Sequence, residues 1–221
     1  MTPDRVPLNR ERVLHAAVAL ADELGIDGFS MRRLAKELGV VPMALYKHFA
    51  SKDELLDGMI DAVFARLEAP SPDSDWKPAL KARALSVRRA LARHPWAIGL
   101  MEIRRPGPAN LEHHEATMRC LRQAGFPFAL AIHAYSVQDA YVYGFAQQER
   151  ALNFETPQSA GEAARRRAEE IGGLDQYPYL AEIAEKLPET GYDPAVEFEW
   201  GLDLILDGLE RRLDAQNGRA G

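Results

Sequence analysis

The sequence predicts an all-α protein in which a small group of short helices precedes a larger helical body. Apolar residues recur at intervals of three and four along most of the chain, which is the spacing of one helix face. Glycine and proline interrupt these patterns, and no alternating apolar and polar run predicts a strand hairpin. The chain has 221 residues, 47% of them hydrophobic, which is enough for one or two domains with substantial cores.

The first two helices have clear start and end signals. Asn9 can cap a helix that ends at Gly25, because its side-chain oxygen accepts an N-terminal N–H and glycine tolerates the backbone beyond a helix end. Ser30 can cap a second, shorter helix that Gly39 stops in the same way. The apolar stripes of these two helices contain Val13, Ala16, Ala17, Leu20, Leu24, Leu34, Ala35 and Leu38.

The third and fourth helices follow directly. Pro42 suits the first turn of a helix over 42–48, because its missing N–H would have no helical partner there. Ser51 can cap a helix over 52–68 that has acids in its first turn, as the helix dipole favours. The Pro-, Ser- and Asp-rich stretch at 69–76 then predicts a domain boundary.

The body is expected to consist of further helices and a short tail. The predicted helices span 77–93, 95–104, 108–124, 127–150, 160–171, 177–187 and 195–213. The resulting division is a head over 1–52, a connecting helix over 53–68, a body over 69–213 and a small polar tail, expected to be disordered, over 214–221.

Charge and cysteine content narrow the functional classes. The net charge is −6, yet residues 1–52 carry eight Lys/Arg and six Asp/Glu, so a mildly basic head precedes an acidic body. Cys120 is the single cysteine and follows a helical pattern, so we expect a buried structural thiol and a reducing, cytoplasmic setting. Neither a membrane span nor a secretory signal is expected.

Residues 30–52 have the pattern of a DNA-binding helix-turn-helix. Two short helices join at Gly39, and the second would lie in a major groove with its first residues near base edges. Met43 and Ala44 would then contact thymine methyl groups, while Tyr46 and His48 reach phosphates. There are simpler alternatives: Tyr46 and His48 could pack on the head core, Lys47 could be solvated, and Lys52 could be an ordinary first-turn residue.

The stretch FSMRRLAKELGVVPMALYKHFASKDELL resembles the N-terminal domain of the TetR family of transcriptional regulators. The shared features are L-A-x-x-L-G-V, L-Y-x-H-F and S-K-x-x-L. The resemblance implies an all-α homodimer that represses transcription until a small molecule binds its body, with double-stranded operator DNA as partner. The DNA-contacting positions that it implies are Ser30, Arg32, Pro42, Met43, Ala44, Tyr46, Lys47, His48 and Lys52.

Two body helices are apolar on more than one face, which predicts burial on two sides. One is FALAIHAYSVQDAYVYGFAQQ, and the other is EFEWGLDLILDGLERRL, which resembles the last helix of Tet-repressor-type effector domains. A homodimer interface or a larger monomeric core would each satisfy the pattern, and the resemblance favours the dimer. Gly144, Gly201 and Gly208 would permit close helix approach. The expected interface residues are Val142, Phe145, Trp200, Leu204 and Gly208.

An effector pocket is expected among aromatic residues, methionines and a few polar groups, although the same residue types also build cores. Arg104 and Gln138 are the informative members, because a buried polar group needs a partner. Arg104 indicates an effector with an acidic or carbonyl group. The resemblance places Met101 and Arg104 where the Tet repressor binds magnesium–tetracycline, and neither residue suits magnesium. The expected lining residues are Met59, Phe64, Trp96, Met101, Arg104, Met118, Tyr135, Gln138 and Tyr141.

Catalysis and metal binding have weaker support. His113 and His114 are adjacent in LEHHEATM and would point about 100° apart on a helix, and no second Glu-x-x-His motif accompanies them. We therefore expect no metal, no other cofactor and no enzymatic activity. A helical enzyme or a protein-interaction adaptor that retains the head remains the alternative.

Overall fold

The computed structural model describes residues 7–71, 73–101, 103–152, 162, 166, 169, 170, 173, 174, 176–190 and 192–218. These residues are helical or irregular, with no strand among them, so the predicted all-α class is confirmed. The chain forms two compact units, Met1–Tyr135 and Ser136–Gly221. The units divide within a helix rather than at 69–76, and the domain division made on the sequence stays a prediction.

The helices follow one another in a simple order. They are α1 (Arg10–Gly28), α2 (Met31–Glu37), α3 (Pro42–Leu45), α4 (Lys52–Phe64), α5 (Trp76–Arg93), a 3₁₀ turn (Pro95–Ala97), α6 (Pro108–Gln123), α7 (Phe128–Leu152), α8 (Pro178–Thr190) and α9 (Pro194–Asn217). Across the described part of the chain, no helix combines the length and apolar character that crossing a bilayer requires.

The predicted helix caps of the head are confirmed. The side chains of Asn9, Ser30 and Ser51 accept backbone N–H groups three residues later, at the starts of α1, α2 and α4. Pro42 occupies the first turn of α3. Gly39 has φ 65°, a left-handed conformation that lets the chain turn sharply from α2 into α3.

The first four helices share a core. Val13, Leu34, Leu45 and Leu55, one from each helix, are fully buried, and Phe49 is 1% exposed. Burying a side chain of this size contributes roughly 1.5–3 kcal/mol. Leu45 and Phe49 therefore anchor α3 and its exit, although α3 itself has only one turn.

Several helix ends differ from the prediction. Gly25 has φ 69° and ψ 170°, but the chain resumes helical bonding and α1 continues to Gly28. α3 ends at Leu45 instead of 48, and α4 ends at Phe64 because its last bonds tighten to three-residue spacing. α9 runs to Asn217, beyond the predicted end at 213.

The predicted helix over 95–104 is reduced to the 3₁₀ turn and irregular turns. Its backbone bonds alternate between three- and four-residue spacing, as in Leu100 N–H to Ala97 and Arg104 N–H to Leu100. The segment therefore does not form a continuous α-helix. The predicted helix over 160–171 falls largely outside the described residues.

In the second unit, α9 packs its apolar stripe against α7. Phe198 and Leu202 are fully buried, and Leu206 is 1% exposed. The ring of Tyr141 stacks on Phe198, with 5.3 Å between ring centroids. A Cβ on Gly201 would lie 2.3 Å from Tyr141 Oη, so glycine is required for this close approach.

Candidate functional site

The first residues of α3 and the residue before it are exposed on the side that faces away from the head core. Val41 is 68% exposed and Met43 is 70% exposed, although both are large and apolar. Pro42 is exposed and Ala44 is half-buried, while Leu45 points into the head core. Exposed apolar side chains at the start of a helix fixed from behind can contact the methyl groups and edges of bases.

Hydroxyl and cationic groups surround this surface. Tyr46 is 41% exposed, so its ring is not fully committed to the core. Lys47 and Arg32 are exposed, and His48 is half-buried. Ser30 uses its hydroxyl to cap α2, which limits its part in any outside contact.

Lys52 lies at the start of α4, close to the beginning of α2. Its Nζ is 3.4 Å from the carbonyl oxygen of Phe29 and 5.7 Å from the ring centroid of the same residue. The side chain is exposed and keeps its charge available to an anion. The first N–H groups of α4 are nearby, which is a favourable place for a phosphate.

A cluster that the sequence did not reveal holds the end of α3. Arg10 Nη1 donates to the His48 carbonyl at 2.6 Å and to Glu54 Oε1 at 2.9 Å, and its guanidinium carbon lies 4.1 Å from the Phe49 ring centroid. Glu54 Oε2 accepts the Ala50 N–H at 2.7 Å. The Ala50 N–H and Arg10 lower the pKa of Glu54, which stays ionised. The S-x-x-E pattern at 51–54 was an available signal for Glu54; Arg10 gave none.

The structure brings together two of the expected pocket residues. Phe64 lies against the rings of His113 and His114, with centroids 5.7 and 5.8 Å away. The ring centroid of Tyr135 lies 5.2 Å from that of His114. Arg83 is 2% exposed and joins this group, although the sequence gave no reason to select it.

Two other expected pocket residues, Trp96 and Tyr141, have their polar groups engaged within the chain. Trp96 Nε1 donates to Asp22 Oδ1 at 2.6 Å, beside a 2.7 Å contact between His94 and the same oxygen. Tyr141 Oη donates to the carbonyl of Phe198 at 2.9 Å. These hydrogen bonds give Trp96 and Tyr141 a structural role within the chain. No local sequence pattern indicated either bond.

Arg104 is bound to α4. Its Nε donates to Asp57 Oδ1 at 2.6 Å, and its terminal nitrogens donate to Asp53 Oδ1 at 2.9 Å and the Asp53 carbonyl at 2.7 Å. Partial burial opposes its charge, but the bonds to Asp53 and Asp57 outweigh burial and raise its pKa. Each of the three Arg104 nitrogens already donates to Asp53 or Asp57, and the expectation that Arg104 meets an acidic effector stays a prediction.

The remaining expected pocket residues are compatible with ordinary core positions. Met59, Met101 and Gln138 are buried, and Met118 is half-buried. A cleft of about 550 Å³ opens elsewhere, between α1 and α4, and contains none of the nine expected residues. It is lined by Asn9, Glu11, Arg12, Leu14, His15, Val18, Ala62, Val63, Ala65, Arg66 and His94.

The expected interface residues divide into two groups. Trp200 is 66% exposed and Leu204 is 52% exposed, and a Cβ on Gly208 would meet nothing within 4 Å. Val142 is 1% exposed, so it has almost no surface left to offer a partner. Phe145 is half-buried because its ring packs edge-on against Phe198.

The sequence analysis also considered Cys120, His113 and His114. Cys120 is 3% exposed as expected, and burial raises the pKa of its thiol. His113 and His114 present rings at 87° to one another with centroids 6.3 Å apart. Within the part of the chain that the structure describes, no three His, Cys, Asp or Glu side chains are grouped as metal ligands.

Comparison with known protein families finds two matching models. Residues 13–59 match the tetR family of bacterial regulatory proteins. Residues 69–213 match the tetracyclin repressor-like C-terminal domain. The two models together account for most of the chain.

Similar individual proteins are known from several bacteria. The HTH-type transcriptional repressor DrrR1 of Streptomyces coeruleorubidus is 33% identical over 99% of this chain and 84% of its own length. The class A tetracycline repressor protein from transposon 1721 in Escherichia coli is 33% identical over 95% of this chain and 94% of its own length. Apo ActR from Streptomyces coelicolor has a similar structure, with a TM-score of 0.78 and 29% identity over 98% of this chain and 99% of that one.

Proposed function

The chain belongs to the TetR family of bacterial transcriptional regulators, and from this membership we propose that it is a repressor that binds a short palindromic operator as a homodimer and is released by a small-molecule effector. DrrR1 and the class A tetracycline repressor protein are repressors, so the helical-enzyme alternative is set aside.

The proposal is supported above all by the exposed start of α3, whose inner side is anchored in the head core. Val41 and Met43 face solvent, while Leu45 and Phe49 anchor the same turn in the core. Arg10 fixes the exit of the helix through the His48 carbonyl. A helix held in this way can enter a major groove with little loss of conformational freedom.

We assign the DNA contacts by chemistry. Pro42, Met43 and Ala44 would meet base edges and thymine methyl groups, and Arg32 would add a polar contact from α2. Tyr46, Lys47, His48 and Lys52 would bind phosphates, which position the head without reading sequence. Because the base-facing residues are apolar, part of the selectivity would come from DNA shape.

Pairing of two chains is supported by the exposed side of α9. Val196, Trp200 and Leu204 are 62%, 66% and 52% exposed and recur every four residues, which gives one apolar stripe. A two-fold dimer would place two α3 helices about 34–36 Å apart, at successive major grooves.

Response to an effector is supported by the position of α4. Phe64 of this helix contacts the rings of His113 and His114, and Arg104 holds Asp53 and Asp57 on the same helix. A ligand that rearranged these contacts would move α4 and so change the placement of the head. Coupling of about 1–3 kcal/mol would alter operator affinity roughly 5- to 150-fold.

Structures of relatives with bound small molecules support this last step. ActR from Streptomyces coelicolor has been solved in complex with actinorhodin, with a TM-score of 0.77 and 30% identity over 94% of this chain and 99% of that one. TetR-Q116A from Acinetobacter baumannii has been solved in complex with minocycline, with a TM-score of 0.67 and 27% identity over 93% of this chain and 98% of that one.

The test is a mobility-shift titration of the purified protein on DNA from its own upstream region, with scrambled DNA as competitor, at two salt concentrations. Tight, salt-dependent and sequence-selective binding by a dimer is expected. If no selective binding is found there, a genome-wide binding selection follows. A protein that selects no DNA in either experiment would favour the adaptor alternative over the repressor.

A further inference from the structure

The cleft of about 550 Å³ between α1 and α4 has an aliphatic wall, and we name it the α1–α4 cleft. Its volume lies within the range of roughly 300–1,000 Å³ that is typical of small-molecule sites. The residues that line it all belong to the first compact unit. Among the described residues, its apolar lining consists of Leu14, Val18, Ala62, Val63 and Ala65.

The aliphatic wall is held in place by the packing of the two helices. A Cβ on Gly58 would lie 3.0 Å from Leu14 Cδ2, so Leu14 of α1 lies directly over the backbone of α4. Val18 and Val63 are buried beside it. An alkyl chain placed against this wall would leave water without having to displace a side chain, which favours binding.

A smaller cleft of about 280 Å³, between α4 and the end of α5, adjoins the α1–α4 cleft. Val63, Arg66 and His94 line both clefts, so they mark the junction where the two meet. His94 is buried, and its Nδ1 lies 2.7 Å from Oδ1 of Asp22 on α1. The junction therefore has a fixed imidazole ring on one side and the last turn of α4 on the other.

Positive charge is concentrated around the junction. The linings of the two clefts together contain more arginines than carboxylates: Arg12, Arg66, Arg89 and Arg93 against Glu11 and Glu68. Oε1 of Glu68 accepts a hydrogen bond from Arg89 at 2.8 Å, so this carboxylate is already paired. In the part of the chain that the structure describes, the exposed guanidinium groups of Arg66 and Arg93 have no hydrogen-bond or ion-pair partner. Both can therefore bind an anion.

We infer that the α1–α4 cleft binds an unbranched aliphatic carboxylate, with its chain on the aliphatic wall and its carboxylate at Arg66 and Arg93. Glu11 lines only the larger cleft and would repel a carboxylate there, which favours this direction of binding. The inference goes beyond the proposed function, because it adds a second ligand site between α1 and α4, separate from the effector of the body.

The first test is isothermal titration calorimetry of the full-length protein with octanoate, octan-1-ol and acetate. Octan-1-ol keeps the chain without the charge, and acetate keeps the charge without the chain. We expect octanoate to bind with a Kd below about 1 mM and at least about tenfold more tightly than the other two. A Kd for octanoate above about 1 mM, or equal affinities for octanoate and octan-1-ol, would overturn the inference.

A pair of substitutions shows whether the chain of octanoate lies in the cleft. Ala65 is exposed at the end of α4 and lines the cleft, so Ala65→Trp would fill part of it. Ala92→Trp adds the same ring at an exposed position of α5 that lines neither cleft. We expect Ala65→Trp to lose at least about tenfold in octanoate affinity and Ala92→Trp to stay within about threefold of wild type. Equal octanoate affinities in the two variants would place the chain elsewhere, and the inference would fail.

A second pair shows whether the carboxylate lies at the junction. Arg66→Gln removes one charge there, and Arg105→Gln removes one from an exposed position before α6 that lines neither cleft. We expect Arg66→Gln to lose about three- to tenfold in octanoate affinity with an unchanged thermal unfolding midpoint, and Arg105→Gln to bind as wild type. Equal affinities in Arg66→Gln and Arg105→Gln would contradict the assigned carboxylate position. None of these measurements involves DNA, so their outcome is independent of the repressor proposal.

Discussion

Lys47 stands exposed two residues after the end of α3, where a phosphate contact is proposed. We predict that Lys47→Ala weakens binding to all DNA sequences alike and lowers the slope of log affinity against log salt by about one. The measurement is a salt series in a mobility-shift assay. Lys186→Ala removes the same charge from α8 and should leave the slope unchanged; equal slopes in wild type and Lys47→Ala would remove Lys47 from the interface.

His113 gives a prediction about pH. Its pKa is about 3 in the folded protein against 6.5 for an ordinary histidine, so below pH 6.5 the unfolded chain binds a proton that the folded chain refuses. Stability therefore falls as pH falls from 6.5 towards 3, by up to about 1.4 kcal/mol per pH unit from this residue.

The measurement is urea unfolding of wild type and His113→Asn at several pH values between about 7 and 5. The variant lacks the titrating ring and should lose less stability on acidification than wild type. His133→Asn, at an exposed position on α7, should behave as wild type. If wild type and His113→Asn show parallel pH dependence, the buried neutral histidine is not the cause.

At the residue scale, the sequence predicted what depends on near neighbours. The caps at Asn9, Ser30 and Ser51 were predictable because each bonds an N–H three residues away. The partners of Trp96 and Arg104 lie 74 and 47 residues away, and no local pattern indicates them. The hydrogen bond from Arg83 to His113 also joins residues that are far apart in sequence, 30 positions, and no local pattern indicated it.

At the scale of helices, the packing of α7 on α9 depends on Gly201. A Cβ there would lie 2.3 Å from Tyr141 Oη and 2.9 Å from Tyr141 Cζ, and Tyr141 is itself held by Phe198. We predict that Gly201→Ala lowers the free energy of unfolding by about 1–3 kcal/mol. Chemical denaturation at low protein concentration measures it.

Two variants make the Gly201 prediction specific. Gly208→Ala, two helical turns further along α9, has open space around the new methyl and should be neutral or stabilising by up to about 1 kcal/mol in the isolated chain. Tyr141→Phe removes the nearest atom, so the double variant should cost less than the sum of the single ones. Additive losses would contradict a direct clash.

The helix order was more predictable than the helix ends. Periodicity and caps indicated every helix of the head, because each apolar stripe faces one core. The predicted helix over 95–104 was wrong in extent: Trp96 and Arg104 are drawn to Asp22 and Asp57, and the backbone between them bonds irregularly. Tertiary partners therefore decided the structure of a segment whose composition alone suits a helix.

At the scale of the whole molecule, the exposed stripe on α9 predicts self-association. Trp200 is 66% exposed in the single chain, so Trp200→Ala should leave folding almost unchanged. It should weaken the proposed dimer by at least tenfold in Kd, since a buried tryptophan is a frequent interface hot spot. Sedimentation velocity over a range of concentrations measures this.

Met43→Ala is the matched control for the dimer. It also truncates a large exposed apolar side chain, but on α3, and should retain the wild-type association while altering DNA selectivity. A monomeric wild-type protein at micromolar concentrations, or a Trp200→Ala variant that associates as tightly as wild type, would mean that another partner covers the stripe.

The side chains in and next to α3 form an inward-facing set and an outward-facing set, and this separation has a consequence for how the protein can change over generations. Leu45 and Phe49 face inward and hold the turn, whereas Val41, Met43 and Lys47 face outward. Exchanging exposed side chains of this kind typically alters stability by less than about 0.5 kcal/mol. The DNA sequence that the protein prefers can therefore change, by mutation or by engineering, almost independently of stability. A duplicated copy could then regulate a new set of genes without first gaining compensating mutations.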